Sequence, residues 1–233
     1  MKYLSHFLLF TLITIGVQTT IHAQKPPNVK SYFFPYQQFF QPVVYKFVDQ
    51  LNKQNIQYWW MQTQIINKDT ILTTKTYDPK FNKVEVIQEK IETQGSILKK
   101  LTMLEEGKWR KTRVEQKQVY RWHQQTGQNL VWNVGYMSSY GLETFTKKRT
   151  LLGSASFKSL SEKSHQAIKF KDHFTRKVQK DSWSDSVTFY QYSIYCKNLG
   201  LLEYQRFYKG KMILHYKVEK IMDAQVWKRI SKK

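Results

Sequence analysis

Residues 201–220 read LLEYQRFYKGKMILHYKVEK. In the second half of this stretch Met212, Leu214, Tyr216 and Val218 fall on one face and His215, Lys217 and Glu219 on the other. That is the period of two expected of a half-buried strand. Residues 201–208 supply a partner strand, and Lys209-Gly210 between them supplies a two-residue turn, with glycine where a positive φ is wanted. The chain therefore ends in a β-hairpin. Asp223, just beyond it, is placed to cap a short helix over residues 224–230.

The same pattern extends back through the chain. Residues 187–197 form an aromatic-rich strand. In residues 59–66, Trp59, Met61, Thr63 and Ile65 alternate with Trp60, Gln62, Gln64 and Ile66. Asn67-Lys68-Asp69 turns the chain into a strand over 71–77. Asp78-Pro79 and Phe81-Asn82 then lead into 84–91. Gly95 opens a strand over 96–104, which Glu105-Glu106-Gly107-Lys108 closes, and 109–120 continues more weakly. After the turn Thr126-Gly127-Gln128-Asn129, Leu130, Trp132, Val134 and Tyr136 alternate with Val131, Asn133 and Gly135. Residues 144–151 read as another strand, and the Ser-rich stretch 153–164 as a loop with a short helix at most.

Runs of about 8–11 residues between turn signals predict an antiparallel β protein. Nine to eleven strands are expected. Their edges must be covered or joined, so the predicted fold is mainly β: a strongly curved antiparallel meander, half-barrel or barrel, with at most one or two short helices.

The N-terminus has the three parts of an export signal: Lys2, an uncharged apolar run over 7–17, and a polar segment over 18–23 ending in Ala23. The apolar run is well short of the roughly 20 residues that span a bilayer. Cleavage after Ala23 is expected, leaving residues 24–233 as one β domain in a periplasmic or secreted location. No cysteine lies near the cut, so a lipid anchor is not expected. Cys196 is the only cysteine. It excludes an internal disulfide, and its aromatic neighbours predict a buried, inert thiol.

The formal charge is +21, or +20 once Lys2 is lost. Such a charge favours anionic partners, including nucleic acid, anionic lipid or an acidic polymer. Only seven of the 38 basic residues are arginine, the side chain suited to bidentate phosphate contacts. The lysines are also spread along the chain rather than grouped, and no specific nucleic-acid motif occurs.

Three groups of residues carry a family resemblance. They are Tyr32-Phe33-Phe34-Pro35-Tyr36 with Pro42-Val43-Val44-Tyr45-Lys46-Phe47 and Tyr58-Trp59-Trp60; Asp69-Thr70-Ile71-Leu72-Thr73-Thr74 with Tyr77-Asp78; and Tyr195-Cys196-Lys197-Asn198-Leu199-Gly200-Leu201. Together they resemble small exported β-rich proteins of Bacteroidota, a group with no established activity to transfer. The strand pattern is also similar to the half-barrels of periplasmic lipoprotein carriers, which implies a curved sheet around an apolar groove. Fold analogy alone does not assign function.

Catalytic and metal-binding motifs are scarce. Gly153-Ser154-Ala155-Ser156 lacks the second glycine of a nucleophile elbow. Ser164, His165, Asp172 and His173 could supply a Ser/His/Asp set, but a chain of this length offers such sets by chance. His6 and His22 belong to the signal. His123, His165, His173 and His215 show no metal-ligand spacing, and no HExxH or CxxC occurs. His215 is expected to face solvent. Glu105 and Glu106, adjacent in a turn, are expected to be solvated rather than the spaced pair of a glycosidase. No catalytic residue, metal or cofactor is predicted.

The aromatic residues remain. Trp59 and Trp60 must point to opposite faces of one strand. With Trp132 and Tyr192 they are the candidates for lining a ligand-binding concavity. The favoured reading is a non-enzymatic exported protein that holds an apolar or amphipathic ligand, or an envelope partner. A basic module for polyanions or anionic lipid is the alternative, and an unrecognised hydrolase, requiring a pocket of converging acids or histidines, is a third.

Overall fold

The computed structural model describes residues 28–158 and 163–232. The export signal read over residues 1–23 lies outside them. The described residues form thirteen strands: β1 (Val43–Asp49), β2 (Ile56–Ile66), β3 (Asp69–Tyr77), β4 (Lys83–Glu92), β5 (Gly95–Glu105), β6 (Lys108–Lys111), β7 (Arg113–Arg121), β8 (Asn129–Ser138), β9 (Gly141–Lys158), β10 (Ser164–Lys180), β11 (Trp183–Cys196), β12 (Gly200–Tyr208) and β13 (Lys211–Asp223). One helix, α1 (Ala224–Ser231), follows, and two single 3₁₀ turns, Lys30–Tyr32 and Tyr36–Gln38, precede β1.

All pairings are antiparallel. Each strand from β1 to β5 pairs with the next, and so does each from β7 to β13. β5 pairs with β7 at its start and with β6 at its end. β13 returns to β1, with Val43 opposite Asp223. The ring therefore closes on twelve strands, with β6 as an extension of β5. Of the two predicted alternatives, the barrel is the one formed.

Turn chemistry sets much of this register. Lys209 and Gly210 adopt φ of 48° and 77°, and Asn67 and Lys68 adopt 50° and 68°. Two successive positive φ values match the twist of flanking strands in a two-residue hairpin. Asp223 caps α1 as expected: its carboxylate accepts from the backbone N–H groups of Gln225 and Val226 at 2.8 and 2.9 Å. The helix lies on the outside of the barrel, where Trp227 packs against Tyr58, Tyr77 and Phe81.

Four expectations are corrected. The strand count is higher, partly because Thr112 interrupts the run after Trp109 and partly because β1 and β10 are strands. The stretch 153–164 is not a loop as far as it is described. Residues up to Lys158 continue β9, and Ser164 opens β10 directly opposite Lys158. Pairing with β10 overrides the weak strand preference of this Gly- and Ser-containing segment. Gly153 sits at a bulge where Leu152 is the extra residue. His215 does not simply face solvent, since its Nε2 lies 2.9 Å from Glu203. Glu105 is not a solvated turn residue: it points into the barrel, toward Arg176 and Tyr136. Cys196 is buried as expected, and burial pushes its thiol up to about 12.

A ring of eight strands is about filled by its own side chains, whereas much larger rings enclose a channel. Twelve strands leave room to fill, and residues 28–42 fill one end. Val29 donates to the Trp122 carbonyl at 2.7 Å, and Asn198 donates to that of Ser31 at 2.6 Å. Thr63 donates its N–H to the Phe39 carbonyl and its hydroxyl to that of Tyr36. Phe33 packs edge-on to Tyr120 and Trp122, and Phe34 to Tyr45 and Tyr195. Gly200 makes room for this plug: a Cβ there would lie 2.4 Å from the Phe34 ring, and its φ is +78°. The outer wall carries exposed lysines such as Lys100, Lys148 and Lys177. Apolar side chains, among them Ile66, Met137 and Leu142, are exposed as well. No described helix is long and apolar enough to cross a membrane.

Candidate ligand cavity

Beneath the plug the barrel is crossed by a polar belt. β9 alternates Phe145, Lys147, Arg149 and Leu151, and β10 alternates Phe170, Asp172, Phe174 and Arg176. Charged side chains therefore fall among the apolar ones on the inner face. Arg149 and Asp172 form a bidentate ion pair at 2.8 and 3.0 Å. The guanidinium also donates to the Tyr195 hydroxyl at 3.0 Å and lies over the rings of Phe170 and Tyr195. Ser193 donates to Asp172 at 3.1 Å, and Lys147 Nζ lies 3.2 Å from the same carboxylate. Burial works to raise the Asp172 pKa, but the charges of Arg149 and Lys147 outweigh it and hold the carboxyl at about 2. Burial, reinforced by Arg149, lowers Lys147 to about 8.

Below the belt lies a cavity of about 540 Å³, within the size range of small-molecule sites. It opens at the end of the barrel opposite the plug, where the turn joining β12 to β13 and the turn joining β10 to β11 lie. One wall is a run of rings. Trp132 lies 5.8 Å from Phe145, Phe145 5.6 Å from Phe174, and Phe174 stacks on Phe189 at 4.8 Å. Trp59 and Tyr204 face it from β2 and β12, and Ile87, Leu101 and Met103 are among the other apolar residues of the lining.

At the mouth, Arg176 bridges Glu105 and Glu143, and Tyr136 donates to Glu143 at 2.9 Å. Burial works to raise Glu143, but the hydrogen bonds from Arg176, Ser138 and Tyr136 prevail and leave it below the usual carboxylate range. On the cavity wall, Arg206 lies 4.9 Å from the centroid of Phe189 and donates to Gln191 at 3.1 Å. Gln191 in turn donates to Ser193. A continuous hydrogen-bonded path therefore joins Arg206 to the Asp172–Arg149 pair.

The four sequence candidates divide evenly between the two sides of the wall. Trp59 and Trp132 line the cavity. Trp60 packs outside among residues beneath α1, with Lys75 Nζ 4.1 Å from its ring. Tyr192 lies on the outer wall with Tyr190, Phe207 and Lys169. The possible triad is not assembled, because Asp172 is inside and the adjacent His173 is exposed outside. No group of three or more His, Cys, Asp or Glu side chains converges among the described residues. The sequence reading missed Lys147, Arg206, Phe174 and Phe189. For Lys147 and Arg206 the signal was a basic residue in the inward set of otherwise apolar alternation.

These features define a closed antiparallel barrel, plugged at one end and hollow at the other. Two solved structures resemble it in fold. One is a proposed lipoprotein of Parabacteroides distasonis, with a TM-score of 0.55 and 12% identity over 82% of this chain and 98% of that one. The second is a proposed exported protein of Bacteroides fragilis with a YmcC-like fold, with a TM-score of 0.53 and 10% identity over 82% of this chain and 99% of that one. At such identities the likeness is one of fold. No family model matches the chain, and no curated protein matches it in sequence.

Proposed function

We propose that this is an exported, non-enzymatic barrel that holds an apolar or amphipathic ligand in its open half. The observation that carries the reading is the aromatic cavity below the Arg149–Asp172 belt, open at the end of the barrel opposite the plug. An apolar concavity with a few placed polar groups is the usual form of a small-molecule site. Export is supported by the pattern of residues 1–23 and by the likeness to proteins described as a lipoprotein and as exported. Native mass spectrometry of the protein over residues 24–233, after incubation with a bacterial lipid extract, tests it. An adduct of acyl-lipid mass is expected. A protein that stays at its bare mass with every lipid fraction contradicts the reading.

A second reading, docking to an anionic surface, is favoured by the outer wall. There Lys169 and Lys171 lie 4.3 and 5.0 Å from the rings of Tyr192 and Tyr190. Steeply salt-dependent retention on anionic vesicles is its signature, and retention no more salt-sensitive than on neutral vesicles removes it.

A further inference from the structure

The cavity holds one cation whose charge no acid answers at close range. Three of the four basic side chains of the belt and the cavity lining are committed. Arg149 is locked onto Asp172, Lys147 lies 3.2 Å from the same carboxylate, and Arg176 bridges Glu105 and Glu143. The acids are similarly engaged: Glu89 accepts from Ser96 at 2.6 Å, and Glu85 from Thr76 at 3.3 Å. Arg206 has only the neutral amide of Gln191 and the faces of Phe174 and Phe189. Among the described residues no carboxylate lies within ion-pair distance of it, and its Nε is enclosed without an acceptor. Of the carboxylates, Glu85 acts on it most strongly, and burial favours the neutral form of Glu85.

An enclosed, unanswered N–H on a half-buried guanidinium is costly, because removing a donor from water without replacing its partner is unfavourable. Native structures keep few such groups, and each calls for an explanation. Here the explanation is geometric. Arg206 lines the same cavity as the apolar wall of Trp132, Phe145 and Phe189. Lys147, whose Nζ lies 5.2 Å from the Phe174 ring, adds a second positive charge at the boundary with the belt.

We propose that the cavity selects amphipathic anions: a carboxylate or phosphate head pairs with Arg206, assisted by the charge of Lys147, while an alkyl chain lies along the aromatic wall. This rests on the ligand-binding reading above and names the chemical class of the ligand. Arginine suits the role because its planar fork can meet two oxygens of one head group.

Titration calorimetry with decanoate, decyl phosphate, decanol and decyltrimethylammonium tests it, with Arg206→Met and Arg206→Lys beside the wild type. The wild type is expected to bind the two anions roughly 10- to 100-fold more tightly than decanol, the range for a charged hydrogen bond. The tighter of the two anions identifies the head group. Arg206→Met should lose that preference while keeping its affinity for decanol, which also shows that the barrel is intact, and Arg206→Lys should recover part of it. Equal binding of anions and decanol by the wild type, preference for the cation, or an unchanged anion preference in Arg206→Met overturns the inference and leaves an apolar site standing. Failure of all four chains to bind overturns the ligand-binding reading itself.

Discussion

The plugged and open halves of the barrel are built from the same strands, yet residues on one strand meet different fates in each. On β12, Leu201 and Leu202 are buried in the plugged half, whereas Arg206 lines the cavity in the open half. On β9, Leu151 is sealed in the core while Phe145 faces empty space. The difference comes from fifteen residues, 28–42, that lie across one end only. Where they lie, rings pack edge to face and backbone hydrogen bonds tie the segment to the strands. Where they do not, a twelve-stranded ring is too wide for its own side chains to fill. The Arg149–Asp172 belt stands between, polar enough to form a boundary and buried enough to be rigid.

The largest test of this contrast is at the belt. Asp172→Ala leaves the Arg149 charge buried among three aromatic rings without its partner. A loss of about 3–5 kcal/mol is expected, read from urea unfolding of the purified variant. Next come matched truncations in the two halves. Phe34→Ala opens a hole in the plug and should cost about 3–5 kcal/mol. Trp132→Ala, whose ring borders a cavity already present, should cost only about 1–2 kcal/mol. Equal costs in the two halves would mean that the open half is packed as a core.

A smaller effect follows from acidity. The native Asp172 carboxyl titrates at about 2, below its unfolded value. The stability it contributes is therefore fully present above the ordinary carboxylate range of about 4, and is lost as the pH falls from there through about 2. Melting temperature should fall over that window in the wild type and fall less in Asp172→Asn. The smallest change concerns Cys196, enclosed beside the plug. Its thiol should show no reaction with a disulfide reagent near neutral pH until the barrel unfolds, and should then react fully.

Much of the fold was legible because most strands obey a clean alternation and end in recognisable turns. The hairpin over residues 201–220 and the division of Trp59 from Trp60 follow from the period of two, and the Asp223 cap from the preference of a carboxylate for a helix N-terminus. β10 escaped because its inner face reads Phe170, Asp172, Phe174, Arg176, in which half the positions carry charge for the belt. β9 was cut short because glycine and serine after Leu152 resemble a loop, and only pairing with β10 makes them a strand. The plug could not be anticipated as such. Tyr32-Phe33-Phe34-Pro35-Tyr36 stood out as aromatic, but nothing local specifies that the segment folds across the end of a barrel closed by β1 and β13. The cavity was half visible: the tryptophans pointed to a concavity, whereas the cations in its wall were hidden within a chain rich in lysine.

The central claim, that the open half receives a ligand while the plugged half does not, is tested most directly by tryptophan quenching with a bromine-bearing fatty acid, since bromine quenches an indole only in contact. Saturable quenching is predicted for the wild type and for Trp122→Phe, whose ring lies beside the plug, and loss of that quenching for the double variant Trp59→Phe/Trp132→Phe. Quenching that never saturates, or that persists undiminished in the double variant, would contradict the account.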